Sequence, residues 1–492
     1  MVSIDEPVES PMNDVTRPDP VLQARDLAPA IAAAADETER RRIPEPLLDQ
    51  LHDARLFRML YPRSVGGDEV EPATYIAAVG ELARHDGSVG WCASIANSIG
   101  LFAPYLEPEA ARTVFGDPRA TCAWGPPNDC RGVAVPGGYR VTGRWDFASG
   151  CRHASWMGAH GTVVEPDGSL RLNNFGRPTL RTWLFPVEQA TLLDNWDPIG
   201  LRGTASESYT VEDLFVPEEF TGTREDPTLR REPGQLYAFP QQNLYSVGIA
   251  SVALGIARGM LDAFIELALR KTPRGTGRLA DNAVVQAELA RAEATLGAAR
   301  SYLIDTVTEI YRRAGQMAST DAAPIDIPDR ARVRLAGSNA ITSAVDVANR
   351  TYKAAGVDAI FPGSPFERRF RDIHTVSQQI QSRNAPKPSA RCCSVNRPRC
   401  FCSVTLRDEP SRLIKLTHPV RLVPNPDSCI AANKSLFNHL VGAGEQRRRH
   451  VEAERLRHDQ VNDEVELGRL LDRKIGGLRP RKILSTKSPA RR

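Results

Sequence analysis

The sequence predicts an α+β protein with three parts in series: an N-terminal helical domain, a central β-barrel or sandwich domain and a C-terminal four-helix bundle. Three observations predict it. Apolar residues recur at helical spacing over about 21–117. Short apolar runs bounded by Gly, Pro, Asn and Asp follow over 118–220. Helical spacing then returns over 239–383 in four segments, and four consecutive helices favour a bundle. The chain has 492 residues, 41% hydrophobic and 25% charged, enough for several domains with substantial cores.

Residues 1–20 are acidic and Pro-rich and read as a disordered leader. Pro44 stands where a helix can start, with Leu47, Leu48, Leu51 and Ala54 following at helical spacing. Ile76, Val79, Leu82 and Ala83 repeat the period after Pro72. Gly87 and Ser88 punctuate, and Val89 to Leu106 is so apolar that it predicts a helix buried on most sides. In the β domain, Gly137-Gly138 before Tyr139 is a turn signal, and Asp167-Gly168 between two runs is a hairpin signal. Residues 221–238 read as a linker. The bundle helices are expected at 240–271, 282–318, 328–355 and 365–382.

The net charge of +3 conceals an asymmetry, because residues 384–492 are strongly basic and the preceding body is mildly acidic. An acidic body argues against a nucleic-acid surface. No run approaches a membrane span, and the N-terminus lacks the basic start and apolar stretch of a secretory signal, so a cytoplasmic protein is expected. Cys92, Cys122, Cys130 and Cys151 lie in the body and five more cysteines in the tail. An odd total without a secretion signal suggests reduced thiols, and the tail's Cys392-Cys393 and Cys400-x-Cys402 have no zinc-site spacing. No metal site is expected.

Residues 139–156, YRVTGRWDFASGCRHASW, resemble the flavin-contacting strand and turn of the acyl-CoA dehydrogenase superfamily. They are most similar to its reduced-flavin-dependent hydroxylase branch. Residues 200–217, GLRGTASESYTVEDLFVP, resemble a second family signature. ELARHDGSVGW resembles the N-terminal domain, and FERRFRDIH the opening of the last helix. The resemblance spans roughly 20–383. It implies a flavin, FAD or FMN, bound in a cleft between sheet and bundle, and commonly a homotetramer in which a neighbouring chain completes the site. Family members end soon after the last helix. Residues from about 384 are therefore expected to be a basic extension foreign to the family, disordered or read from a shifted frame.

An isoalloxazine ring needs a flat apolar wall and a few polar groups at its edge. Trp145 and Phe147 are expected on one strand face, as residues i and i+2 are. By themselves they read as β-core aromatics; the resemblance makes them flavin contacts. Trp124 and Gly125 are candidates for the same wall, followed by Ala148 and Ser149, and Gly150 permits close backbone approach. The resemblance implies that the Ser149 hydroxyl faces the reactive N5 edge. It also implies phosphate contacts from Arg270 and Gln286, with Arg274 or Arg278 as further charge and solvated loop cations as the equal alternative.

A dehydrogenase of this superfamily uses a Glu base eight residues after the Arg-Asp pair of its last helix. Here the pair is Arg371-Asp372 and the eighth residue is Ile380. The alternative position, within residues 241–247, holds no carboxylate. The hydroxylase branch needs no such Glu. Its reduced flavin activates O2 and delivers an oxygen atom to the substrate. Phenol hydroxylases of this kind carry a His where Gln379 stands, and a second where Asn97 and Ser98 stand. His153 matches the hydroxylase pattern and can orient substrate or be structural. His374 is a base candidate only if its helix is rotated, and Glu367 and Asp372 read as ion-pair residues. The leading expectation is the oxygenase component of a two-component monooxygenase acting on a small molecule, fed reduced flavin by a separate reductase. Two alternatives stay open: a dehydrogenase-like enzyme with a displaced base, and a degenerate flavin-fold scaffold.

Overall fold

The structure is a computed structural model and describes residues 18–173, 176–223, 229–316 and 325–383. Most of the leader and the whole basic tail, with its cysteines, lie outside the described residues.

Among the described residues, seven helices precede the sheet: α1 (Pro20–Asp26), α2 (Ala28–Ala33), α3 (Ala35–Thr38), α4 (Glu45–Asp53), α5 (Pro72–His85), α6 (Gly87–Gly100) and α7 (Pro108–Phe115). Proline in the first turn starts α1, α4, α5 and α7, where a missing N–H costs nothing. Gly87 and Ser88 were expected before the buried helix and instead form its first turn. The reason is Asp86, whose carboxylate accepts from the N–H groups of Ser88 and Val89 and caps α6 directly after α5. Every residue of α6 is buried. The helix stops at Gly100, short of the expected Leu106.

Among the described residues, eight strands form one mixed sheet: β1 (Cys122–Trp124), β2 (Pro127–Val135), β3 (Gly138–Ala148), β4 (Trp156–Val164), β5 (Leu180–Pro186), β6 (Thr191–Leu192), β7 (Glu207–Pro217) and β8 (Thr221–Gly222). Their order is β6-β7-β3-β2-β4-β5-β8, with β1 parallel to β4. In a flat sheet β7 and β5 would lie about 19 Å apart at normal strand spacing. They touch, and the Tyr209 hydroxyl of β7 donates to the Gly158 carbonyl of β4, so the sheet curls around its own core. Trp145, Trp183, Tyr139 and Phe185 fill that core. Gly137, with φ of 81°, makes the expected β2–β3 turn. Gly168 also turns the chain, but the segment beyond it adds only isolated bridges at Leu170 and Leu172. β8 falls inside the segment expected to be a linker.

The bundle comprises α8 (Gln241–Arg270), α9 (Ala283–Gln316), α10 (Ile327–Ala355), α11 (Pro365–Ser377) and α12 (Ile380–Arg383). The expected fourth helix is split, with Gln378 and Gln379 in the break. One apolar core runs through the N-terminal helices and the bundle together, because α8 packs on both α5 and α6. At Gly255 of α8 a Cβ would stand 2.2 Å from the Gly80 carbonyl oxygen, so only glycine allows this crossing of α8 and α5.

Candidate active site

Backbone strain marks the site. Phe147 (φ 62°), Leu201 (φ 53°) and Ala205 (φ 44°) all sit in the left-handed region, which side chains avoid unless their surroundings enforce it. The three are joined through the turn after β3 and the loop before β7. The Gly150 N–H donates to the Thr204 carbonyl at 2.8 Å. Gly150 itself has φ of 81° and packs against the His153 ring.

The same turn and loop carry a line of hydroxyls. The Trp91 indole N–H of α6 donates to Ser149 Oγ at 2.9 Å. Ser149 Oγ lies 2.6 Å from Ser206 Oγ, and Ser206 Oγ 2.6 Å from Thr204 Oγ1. Thr204 Oγ1 donates to the Leu201 carbonyl at 2.8 Å, and the Trp196 indole N–H donates to that carbonyl at 3.1 Å. Trp196 meets the edge of Phe147 with ring centroids 6.1 Å apart. Phe147 is 60% exposed, an unusual state for a Phe held on strained backbone, whereas Ser149 is 7% exposed at its side.

Trp145 is not part of this wall. The expectation that it shares a face with Phe147 fails, because the β3–β7 ladder slips between Trp145 and Ala148, where three residues of β3 oppose two of β7. The bulge reverses the alternation. Trp145 is fully buried, stacked on Tyr209 at 5.2 Å, with its N–H on the His160 carbonyl. Ala148 is likewise buried in the sheet core. Trp124 packs against Phe102 and His160, and a Cβ at Gly125 would collide with the Asp146 carbonyl, so Gly125 serves strand packing.

The loop is tied to the bundle by Asp372 of α11. Its carboxylate accepts the Leu201 N–H at 2.6 Å, and burial first, then the Asp86 carboxylate, push its pKa up to about 7. The sequence reading of Asp372 as an ion-pair residue is corrected accordingly, while Glu367 does pair with Arg371. His374 lies two residues on, about 200° around the helix, on a different face. Its Nε2 is 3.0 Å from Asn349 Oδ1 of α10, and its ring packs on Phe370. Arg270 closes α8 and Gln286 opens α9, both exposed, with the Gln286 amide donating to Ala280. Arg278 pairs with Asp281. No hydrogen bond described here joins these residues to the turn. The sequence pointed to none of Trp91, Trp196, Thr204 and Ser206 individually, although three of the four stand within the two segments quoted above, DGSVGW and GLRGTASES.

His153 lies behind the turn with a buried, unpartnered Nδ1. Burial, and secondly the charge His52 would carry, push its pKa down to about 4. Burial likewise brings His52 to about 4, with Arg119 next in effect. Both are therefore neutral in the folded protein and protonate more readily when unfolded. Between pH 6.5 and 4 the unfolded chain binds more protons, so stability falls as pH drops through that window. His153 contributes on the order of 3 kcal/mol at the limit, and His52, less deeply buried, contributes less. Urea unfolding at pH 7, 5.5 and 4.5 should show this loss, and His153→Phe should reduce it. Equal slopes in wild type and variant would contradict the assignment.

Two family models match the chain: acyl-CoA dehydrogenase, N-terminal domain, over residues 23–107, and acyl-CoA dehydrogenase, C-terminal domain, over 247–383. The HsaA oxygenase subunit of a flavin-dependent monooxygenase from Mycobacterium tuberculosis is 30% identical over 380 residues. The match spans 75% of this chain and 92% of the relative. The chain belongs to the acyl-CoA dehydrogenase superfamily. Within the superfamily it is a flavin-dependent oxidoreductase of the monooxygenase branch. A relative named FADH2-dependent resorcinol hydroxylase, oxygenase component, from a Rhizobium species is 27% identical, covering 71% of this chain and 87% of the relative. The structure of XiaF from Streptomyces, solved with FADH2 and glycerol, aligns with a TM-score of 0.67 at 25% identity, covering 74% of this chain and 92% of that one. This flavoenzyme fold accounts for the order of helices, curled sheet and bundle.

Proposed function

We propose that Phe147, Ser149 and Gly150 hold the reactive edge of a reduced FMN or FAD, and that the chain hydroxylates a small molecule with O2. The donor set supports the fit. Phe147 offers an exposed flat face, Gly150 brings backbone close, and Ser149 keeps one oxygen lone pair unused beside them. Bound reduced flavin supplies the electrons that activate O2. The chain's own residues position and shield. Trp196 braces Phe147, Trp91 fixes Ser149, and Ser149, Thr204 and Ser206 are buried, which limits water at the hydroxyl line.

The observation that carries the oxygenase reading over a dehydrogenase is the chemistry around Gln379. Its amide donates to the Tyr245 hydroxyl at 2.9 Å, and Ile380 is 64% exposed. Neither side chain can remove an α-proton. We assign no proton transfer to His374, whose ring is engaged by α10, and a supporting role behind the turn to His153. Flavin delivery by a separate reductase, a homotetramer, and phosphate contacts from Arg270 and Gln286 to a flavin of a neighbouring chain complete the proposal.

The test is anaerobic titration of the full chain with photoreduced FMN and FAD, followed by O2 and a panel of aromatic substrates. Tight reduced-flavin binding and an oxygenated product are expected. Bleaching of bound oxidised flavin by an acyl-CoA without O2 would support the dehydrogenase instead. Phe147→Ala should weaken flavin binding about 5- to 150-fold, the equivalent of the roughly 1–3 kcal/mol of one aromatic stack. An unchanged affinity would remove Phe147 from the site.

A further inference from the structure

We propose that Ser206 and Thr204 lock the Ser149 hydroxyl as a hydrogen-bond acceptor toward the ligand, so that the site favours a flavin protonated at N5 over the oxidised ring. This rests on the placement of the flavin edge at Ser149 given above.

The direction follows from counting protons. A hydroxyl has one proton to give and two lone pairs. Thr204 gives its proton to the Leu201 carbonyl, which has none to return. The 2.6 Å contact between Thr204 and Ser206 therefore uses the Ser206 proton. The 2.6 Å contact between Ser206 and Ser149 then uses the Ser149 proton. The Trp91 indole only donates, and it fills one lone pair of Ser149. What Ser149 has left is a single acceptor position.

The line cannot readily reset. Thr204 is fully buried, Ser206 is 5% exposed and Ser149 7%, so water has little access to reverse it. The Thr204 carbonyl is held by the Gly150 N–H, and Ala205 in its left-handed conformation sets the two flanking side chains on the same path. A reduced flavin, protonated at N5, would donate into the open lone pair. An oxidised flavin, which has a lone pair at N5, would meet a second acceptor there. Leaving such a pair unmatched is costly in a buried site. Ser206 and Thr204 are thus positioning residues that act through Ser149.

The readout is the ratio of dissociation constants for oxidised and photoreduced flavin, measured anaerobically on the full chain. Wild type is expected to bind the reduced form about 10-fold tighter or more. In Ser206→Ala the Ser149 proton is released and can rotate toward an unprotonated N5. The ratio should then fall about 10-fold, equivalent to a drop of about 30 mV in the two-electron midpoint potential of bound flavin. Thr204→Val frees the Ser206 proton and should act in the same sense, which keeps the test open if Ser206→Ala folds poorly. Ser206→Thr, which retains the hydroxyl, should restore the ratio. A ratio unchanged in folded Ser206→Ala and Thr204→Val overturns the relay while leaving the flavin site standing. Failure of wild type to bind either form overturns the placement of the flavin, and the relay with it.

Discussion

Replacing Arg152 by alanine is expected to destabilise the protein by about 1–3 kcal/mol, because a buried carboxylate loses its charged donor while Arg152 itself is partly open to solvent. Glu207 is 1% exposed at the start of β7, next to Ser206. Arg152 grips it with two parallel bonds, Nε to Oε1 and Nη2 to Oε2, both 2.7 Å. The Asp194 N–H gives the carboxylate one further bond at 2.9 Å. Without the guanidinium that charge stays buried with little compensation. Arg152→Lys keeps the charge but cannot reproduce the two-pronged geometry, so partial recovery is expected. The double variant Arg152→Met with Glu207→Leu should recover most of the loss, because neither member is then left charged and unpaired. Urea midpoints decide the matter. A loss below about 1 kcal/mol in Arg152→Ala would mean that solvent already compensates Glu207. Because Ser206 precedes Glu207, Arg152→Ala should also weaken flavin binding under conditions where it remains folded.

Asp372→Asn is expected to stabilise the protein at pH 8 and to leave it nearly unchanged at pH 4. Asp372 is a buried acid whose pKa is raised to about 7 by burial, and then by Asp86 and Glu39, against the attraction of Arg368. Between pH 4 and 7 the folded protein holds a proton that the unfolded chain has lost. Stability from this residue is therefore full below about pH 4 and declines as pH rises to 7, by on the order of 3–4 kcal/mol at the limit. Asparagine does not titrate and can still accept the Leu201 N–H through its carbonyl. Asp372→Ala serves as the contrast: it also abolishes the titration but leaves that N–H unpaired, so it should be about 1–3 kcal/mol less stable than the Asn variant at every pH. Chemical denaturation from pH 4 to 8 separates the two. An Asn variant with the same pH slope as wild type would move the titration to another group, Asp86 first. The acid-side loss assigned to His52 and His153 runs in the opposite direction and should persist in both variants.

Much of the fold was legible because local pattern and burial agree. Pro44 and Pro72 stand where helices begin, the bundle segments were bounded to within a few residues, and the expected turn at Gly137 joins β2 to β3. Errors occurred where a local cue was outweighed by a neighbour in space. Gly87 reads as a breaker, yet Asp86 satisfies the N–H groups that follow and the helix starts there. Trp145 and Phe147 are spaced for one face, yet the pairing with β7 inserts a bulge between them. Spacing along one strand says nothing about how many residues its partner supplies.

The sequence alone determined the three-part architecture and the turn that carries Ser149, and the resemblance implied which positions, Gln379 and Ile380, lack a base. Each is a property of contiguous residues, set by periodicity, turn chemistry or residue type. Tertiary structure alone decided that Phe147, not Trp145, faces outward and that Asp372 grips the Leu201 loop. It also decided that Trp91, Ser206 and Thr204, drawn from α6 and the approach to β7, give Ser149 its direction. A hydrogen bond across 58 residues of chain is invisible to any local pattern, because its geometry exists only once sheet and helices have packed.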